Sequence, residues 1–384
     1  MADQVLRDLL QSMGNAKDLP RWQEAASRLG ANELASLGAF VDAMKQSCKA
    51  GDTEFPVHAA VWRDADDEAV MTLLRERPDR IAERDGKGRT PLYVAVGKRR
   101  RELVLRMLAE GADPLLPTGE GYTAVHLASL GRESAMVRDL VDAALARQRP
   151  EDNGNVRAML AARMYAYRGY TLAHIAATEG DVSTLRLIDR LWPGGEPFAA
   201  ISGDQGLTPL HVAAHWSTEA TAFLLGVVPR DVVDRRAPDY GTALHLAAQE
   251  RSKTRVALLL DAGADPNAEP PANSRSPLLL MAQKDKLQAV CTLLERGARV
   301  DACGTDGFTA LHVAAGNNRQ TVVHALLRAG ADTTLRTSPE PTPHDARGTT
   351  AEERGRTAAE LAALRGHHRI VQLISHYAAK RASP

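Results

Sequence analysis

The sequence predicts an all-α solenoid, in which antiparallel helix pairs stack along one dimension and are joined by short β-hairpin-like turns. Three observations predict it. One tetrapeptide pattern recurs nine times in the 384 residues, at anchors Phe55, Thr90, Thr123, Thr171, Thr208, Thr242, Ser276, Thr309 and Thr357. The intervals between anchors are 35, 33, 48, 37, 34, 34, 33 and 48 residues, and a unit that small cannot bury its own apolar face, so it has to stack on its neighbours. Many copies also close on one stop signal, as in Gly111-Ala112-Asp113, Gly263-Ala264-Asp265 and Gly330-Ala331-Asp332, where Gly supplies a left-handed helix end.

The elements follow in chain order. Residues 1–53 have a texture of their own, with Val5, Leu6, Leu9 and Leu10 on one helix face, a second helix over Trp22 to Leu29, and Leu34, Leu37, Val41 and Met44 on a third. They read as a helical cap over the first repeat, since the terminal unit of a solenoid needs a polar outer face. The array then runs over 54–379, with 380–384 as a tail. In Thr90-Pro91-Leu92-Tyr93 or Thr208-Pro209-Leu210-His211, the Thr hydroxyl caps a helix start and Pro at the first helical position gives up no hydrogen bond. Small residues such as Ala213-Ala214 and Ala247-Ala248 let a second helix approach, and that helix carries Leu258-Leu259-Leu260, Leu293-Leu294 or Leu326-Leu327. Polar turns such as Asp306-Gly307 lead into the next anchor. The two 48-residue intervals hold insertions near 148–169 and 336–355. The first contains a candidate helix over Val156 to Tyr167, and the second is rich in Pro and Thr and reads as a mobile loop.

A period near 33 with this tetrapeptide resembles the ankyrin repeat, over about residues 54–379. Phe55, Leu279 and Glu360 depart from the pattern. The resemblance implies that His58, His126, His174, His211, His245 and His312, at the fourth anchor position, bridge neighbouring units by hydrogen bonds, and that Gly366-His367 lies between two helices. Within 1–53, Leu19-Pro20 followed by Arg28-Leu29-Gly30 resembles an F-box, the helical module that docks substrate receptors onto ubiquitin-ligase adaptors. Its spacing is about two residues short of that module's, and Gln23, Glu24 and Ala25 stand where aliphatic residues are expected.

Composition narrows the function. The 48 Lys and Arg balance 48 Asp and Glu, which leaves no global field to favour nucleic acid. Only nine of those cations are Lys; with the abundant Ala, that points to a GC-rich genome and a host-associated bacterium. Cys48, Cys291 and Cys303 are too dispersed for metal or disulfide work and suit a reducing compartment. No run of 18 apolar residues and no export signal is present, so neither a membrane nor Sec export is expected. His211 and His215 sit four apart without a carboxylate or thiol partner. Gly119-Glu120-Gly121-Tyr122-Thr123-Ala124 fits a dinucleotide fingerprint only superficially, because no strand precedes it. Lys98-Arg99-Arg100-Arg101, the one basic run, reads as a solvated loop between helices. No nucleophile, kinase or paired-carboxylate signature survives, so no cofactor, metal or catalysis is expected.

What remains is the placement of scarce aromatics, 4% of the chain. The resemblance places the residue before each anchor, and those after the Ala-Ala pair, on a concave groove or at the turn tips. Tyr122, Tyr170, Phe308, His215 and Trp216 hold such positions, with Tyr167 and Tyr240 nearby and Arg89, Arg168, Gln205, Glu250, Arg275, Gln283 and Asp306 at other variable positions. Rings flanked by polar side chains are typical of protein-binding hot spots. The sequence therefore predicts a non-catalytic scaffold, monomeric on its own and cytoplasmic, that binds a partner protein through this face. The alternative is a secreted host-directed effector that recruits ubiquitin-ligase machinery through 1–53 and works in the host cytoplasm.

Overall fold

The computed structural model describes residues 55–147, 169–193, 196–202, 205–269, 275–304, 306–339 and 351–382. The segment 1–53, with its cap and F-box-like readings, lies outside the described residues, as does the candidate helix in the first insertion. The chain divides into two compact units, Met1–Met159 and Leu160–Pro384.

In the first unit three helix pairs are described: α1 (Pro56–Trp62) with α2 (Asp67–Glu76), α3 (Pro91–Gly97) with α4 (Arg101–Ala109), and α5 (Ala124–Leu130) with α6 (Ser134–Ala146). The second unit holds six. They are α7 (Leu172–Glu179) with α8 (Val182–Leu191), α9 (Pro209–Trp216) with α10 (Thr218–Val227), α11 (Ala243–Gln249) with α12 (Lys253–Asp261), α13 (Pro277–Gln283) with α14 (Leu287–Glu295), α15 (Ala310–Gly316) with α16 (Gln320–Arg328), and α17 (Ala358–Leu364) with α18 (His368–Ala382). Within each unit the first helix of a pair packs on the first helices beside it, and second helices pack on second helices. The result is an inner and an outer layer. Isolated antiparallel bridges, Ala237 to Gly241, Cys303 to Thr309 and Arg336 to Thr357, give the turns their hairpin character.

Each inner helix begins as its anchor dictates. Thr90, Thr123, Thr208 and Thr309 sit in extended backbone and accept, through the hydroxyl, from the N–H three residues on. Where that residue is His, the cap becomes reciprocal, because the Thr backbone N–H donates to the imidazole Nδ1, at 3.3 Å for His126 and 3.2 Å for His174, His211, His245 and His312. Glu360 does the same work with a carboxylate, accepting from Thr357 N–H at 2.9 Å. Phe55 has no such group, and α1 starts without a side-chain cap.

Between paired helices the chain turns through left-handed backbone. Arg99, Arg132, Arg251, Asp285 and Asn318 adopt φ of 57° to 59°, and Gly180 and Gly366 hold the matching place in their repeats. Between α9 and α10 that residue is missing. A single extended Ser217, φ −134°, links the two helices and caps α10 by accepting from Ala220 N–H at 3.2 Å.

Adjoining repeats are tied by guanidinium groups, which the sequence did not lead us to expect. Arg235 donates to Ala199 O at 2.7 Å, Arg296 to Leu260 O at 3.0 Å, Arg365 to Gly316 O at 2.9 Å, and Arg381 to Gly330 O and Ala331 O at 2.9 Å each. In the first unit Arg147 donates to Gly111 O. These carbonyls cluster at helix ends, where the backbone has no intrahelical donor left and the helix dipole favours a cation.

The core is the column of apolar residues between layers, and Leu259, with no exposed surface, is one of its members. We expect Leu259→Ala to cost about 2 to 5 kcal/mol by transfer and cavity terms, read as a lowered urea midpoint. Arg251 is exposed and strained by its positive φ. Arg251→Gly should therefore leave the midpoint unchanged or raise it by up to about 1 kcal/mol in equivalent stability, since relief of the left-handed strain is offset by glycine's chain entropy.

Candidate partner-binding face

The most irregular stretch of the inner layer is the end of α9. Because only Ser217 separates α9 from α10, His215 and Trp216 stand where other repeats begin a longer turn. Both are half-buried. Their rings meet edge to face, centroids 4.4 Å apart at 86°, and His215 Nδ1 lies 3.6 Å from Glu250 Oε1 of the next repeat. That separation is too long for a hydrogen bond. Burial holds the His215 pKa below its ordinary value, against the pull of Glu250, so the ring is neutral near pH 7 and offers a polar edge beside a large apolar one.

Tyr240 sits on the turn that leads from α10 to α11, half-exposed, in the hairpin closed by Ala237 and Gly241. Its hydroxyl accepts from Gln205 Nε2 at 3.3 Å, tying two successive turn tips together. Other tips are linked in the same way, by Arg275 to Asp306 at 2.9 Å and Gly119 N–H to Lys87 O at 3.0 Å. Tyr122, in the first unit, is half-buried; burial and then Glu120 push its hydroxyl up to about 12.

Three expected binding residues prove to be interior. Arg89 is 5% exposed and forms a buried pair with Asp85, Nε to Oδ2 at 2.7 Å, while its carbonyl accepts from His58. Tyr170 is 8% exposed and stacks on His174 at 5.1 Å. Phe308, also 8% exposed, packs its ring against His312 at 6.0 Å and under the Arg275 guanidinium at 5.5 Å. The physical reason is shared by both rings. A residue just before the anchor Thr lies four positions before the bridging imidazole, and the turn folds it back onto that ring. Tyr167 and Arg168 lie outside the described residues. Of the expected set, the structure brings together His215 and Trp216 at the C-terminal end of α9, with Glu250 beside them, and places Tyr240 before the N-terminal end of α11.

The other sequence features resolve into internal contacts. Each side chain of the basic run finds an acid from a flanking repeat: Lys98 with Asp64 at 3.0 Å, Arg99 with Glu133 at 3.4 Å, Arg100 with Asp67, and Arg101 with Asp139 at 2.7 Å. His211 uses both nitrogens, one in its own cap and the other on Gly241 O at 3.1 Å. Among the described residues no group of three His, Cys, Asp or Glu side chains is placed to hold a metal, and no helix is long and apolar enough to cross a membrane. The outer layer carries an open groove of about 650 Å³, lined by Leu287, Cys291, Leu294, Ala325 and Leu373 among others, which sequence patterning did not indicate.

Comparison with known proteins places these features in a family. A profile for ankyrin repeats (3 copies) matches residues 173–270 and 244–337, and one for ankyrin repeats (many copies) matches 73–128. The mouse B-cell lymphoma 3 protein homolog is 34% identical over 176 residues, 45% of this chain and 38% of its own length. The chicken nuclear factor NF-kappa-B p105 subunit is 26% identical over 270 residues, 68% of this chain and 22% of its own. The mouse NF-kappa-B inhibitor zeta is 26% identical over 293 residues, 72% and 36%. The chain thus spans well under half the length of these relatives.

The cap histidines carry a pH dependence, although His126 and His245, against the bridging expected of them, make no bond from Nε2 to the next repeat among the described residues, as His211 does. Burial lowers His126, His211 and His245 to about 4, below the ordinary value near 6.5. The unfolded chain then binds more protons than the folded one between pH 6.5 and 4, so stability rises with pH across that window. It should be fully present above about pH 6.5 and fall by a few kcal/mol as acid approaches pH 4. Urea midpoints measured from pH 7.5 to 5 should decline below 6.5, and a flat profile would show that the imidazoles are not held neutral.

Proposed function

The chain belongs to the ankyrin-repeat family, and from that premise we propose that it is a non-catalytic scaffold that binds a partner protein through the inner-helix and turn face around α9 and α11. The observation that carries this reading is Trp216. A half-exposed indole at an irregular junction does nothing for the repeat fold, since the neighbouring repeats close with polar loops in its place, and Trp and Tyr are over-represented among residues that dominate binding energy. His215 extends the same patch with one apolar face and one polar edge, and Tyr240 offers a second ring of that kind at the other end of the inner helices. Several of the turn tips are tied to their neighbours, so little side-chain or loop entropy is lost on binding and a few anchors can set affinity.

The relatives support a protein partner over other classes. One of them is by its name an inhibitor of NF-kappa-B, that is, a protein acting on proteins. Nothing in the charge distribution supports nucleic acid, because the basic run is neutralised by Asp64, Asp67, Glu133 and Asp139. The reading is of a monomer that meets its partner in solution.

The test is affinity capture with the full chain beside a Trp216→Ala/Tyr240→Ala variant whose helicity is checked by circular dichroism. Each substitution should weaken binding of a captured partner by about 1 to 3 kcal/mol while helicity stays. Equal capture by both proteins would remove the function from this face.

A further inference from the structure

In eight of the nine repeats the second helix carries a buried position thirteen residues after the anchor; in α2 that position is the exposed Glu68. It holds Leu103, Met136, Val322 and Ile370 in four repeats and Thr184 in α8, each 1% exposed or less. In α12 it holds Arg255, nine-tenths buried. The same position is Thr221 in the repeat before it and Ala289 in the repeat after it. A guanidinium has been set into a column that carries no other charge from α4 to α18.

It has not been given partners. Arg255 Nε and Nη1 are enclosed and meet no acceptor among the described residues. Burial lowers the Arg255 pKa, and Glu250 and Glu219 act on it only through their charge. Close by, His215 Nδ1 is likewise enclosed and unpaired, and it feels both Glu250 and Arg255. A buried cation without a hydrogen-bonded counter-ion is the costliest residue a core can hold. Where a chain breaks a packing rule this sharply without a local gain, the break marks a functional position. The head reaches toward the tip of the inner layer where His215, Trp216 and Glu250 meet, the patch assigned above to partner binding.

We propose that Arg255 is the specificity-determining residue of that patch, and that the partner segment it selects presents an Asp or Glu carboxylate. The inference rests on the binding-face reading. A planar guanidinium takes a carboxylate through two parallel N–H donors on one edge, and each such edge of Arg255 joins Nη2 to one of the two unspent nitrogens. The nearby Glu250 and Glu219 would repel a doubly charged phosphate more strongly than a singly charged carboxylate, which decides between the two anions. Partner binding supplies the acceptor that the free chain lacks, and a segment with an apolar or amide side chain at that point leaves the cation buried and unpaired, so it is rejected.

The experiment uses the full chain and a display library of random peptides. Peptides selected on the wild type are sorted by whether Trp216→Ala abolishes their binding, which identifies those on this face. That set should share a fixed Asp or Glu. Its replacement by Asn or Gln should weaken binding to the wild type at least about tenfold and leave binding to Arg255→Met unchanged, the signature of a direct pair in a double-mutant cycle. Arg255→Met should also raise the urea midpoint, because it restores the apolar column that Met136 exemplifies. Trp216-dependent peptides without a fixed acid, an equal loss on both proteins, or a lowered midpoint for Arg255→Met would overturn the assignment to Arg255 and leave the binding face standing. No Trp216-dependent peptide at all would sink the binding face, and the role of Arg255 with it.

Discussion

The imidazole at the start of an inner helix is the group on which the stack depends. Its Nδ1 accepts from the backbone N–H of the anchor Thr, and that acceptance fixes the neutral tautomer with the proton on Nε2. Where an acceptor is in reach the proton is then committed outward, whereas His126 and His245 Nε2 meet none among the described residues. His174 donates to Leu207 O at 2.9 Å, His211 to Gly241 O at 3.1 Å and His312 to Leu335 O at 3.0 Å. One ring therefore closes a helix cap and positions the following turn, two tasks that need one acceptor and one donor on opposite edges of a rigid plane. Leu279, which offers neither, leaves its own turn without that bridge, and Glu360 keeps the cap but turns its second contact to Arg336 at 3.0 Å. Charging any of these rings would put a proton where an acceptor is needed, which is why burial and tautomer work in one direction.

The prevalence of arginine has a structural use besides any bias of the source. A helix end presents several carbonyls spread over a turn of backbone, and a guanidinium can span two of them while its stem covers apolar surface. Arg381 does this across Gly330 and Ala331. A lysine ammonium would concentrate its donors at one point and be more strongly hydrated. The same economy disposes of the basic run, whose four cations lie against acids from flanking repeats. The charge of this run is spent on pairing between repeats, and little of it is left over for steering a ligand.

Much of the fold was legible from residue order. Thr-Pro and Thr-Ala starts, the Gly-Ala-Asp stops and the Leu pairs each encode a local geometry that tertiary packing then reuses, so helix pairs fell where the anchors put them. The binding face was less legible because exposure depends on how a turn folds back. Tyr170 and Phe308 read as groove residues by register, yet each stands four positions before a bridging His, close enough to stack on it. That spacing was visible; its consequence needed the turn's path. Arg89 misled for a related reason, since Asp85 four residues earlier closes a turn around it. The guanidinium bonds to carbonyls, 36 to 51 residues away in sequence, have no local signature and could not be read without coordinates.

A repeat fold imposes the same requirement at every unit, and this makes its exceptions informative. Three coincide in one place. The junction after α9 is reduced to Ser217, a Trp closes that helix, and the column position of α12 in the next repeat carries a cation. Each is unfavourable or idle by the standards of the neighbouring repeats: the short junction forfeits the polar turn, the indole gains little burial, and the guanidinium lies unpaired. Separately they would be scattered imperfections. Gathered within two adjacent repeats, and linked through His215 and Glu250, they describe a stretch where the sequence departs from the fold's preferences for a common end. The stability forgone there is supplied by the repeats on either side, and a stacked array can bear it because each repeat leans on its neighbours.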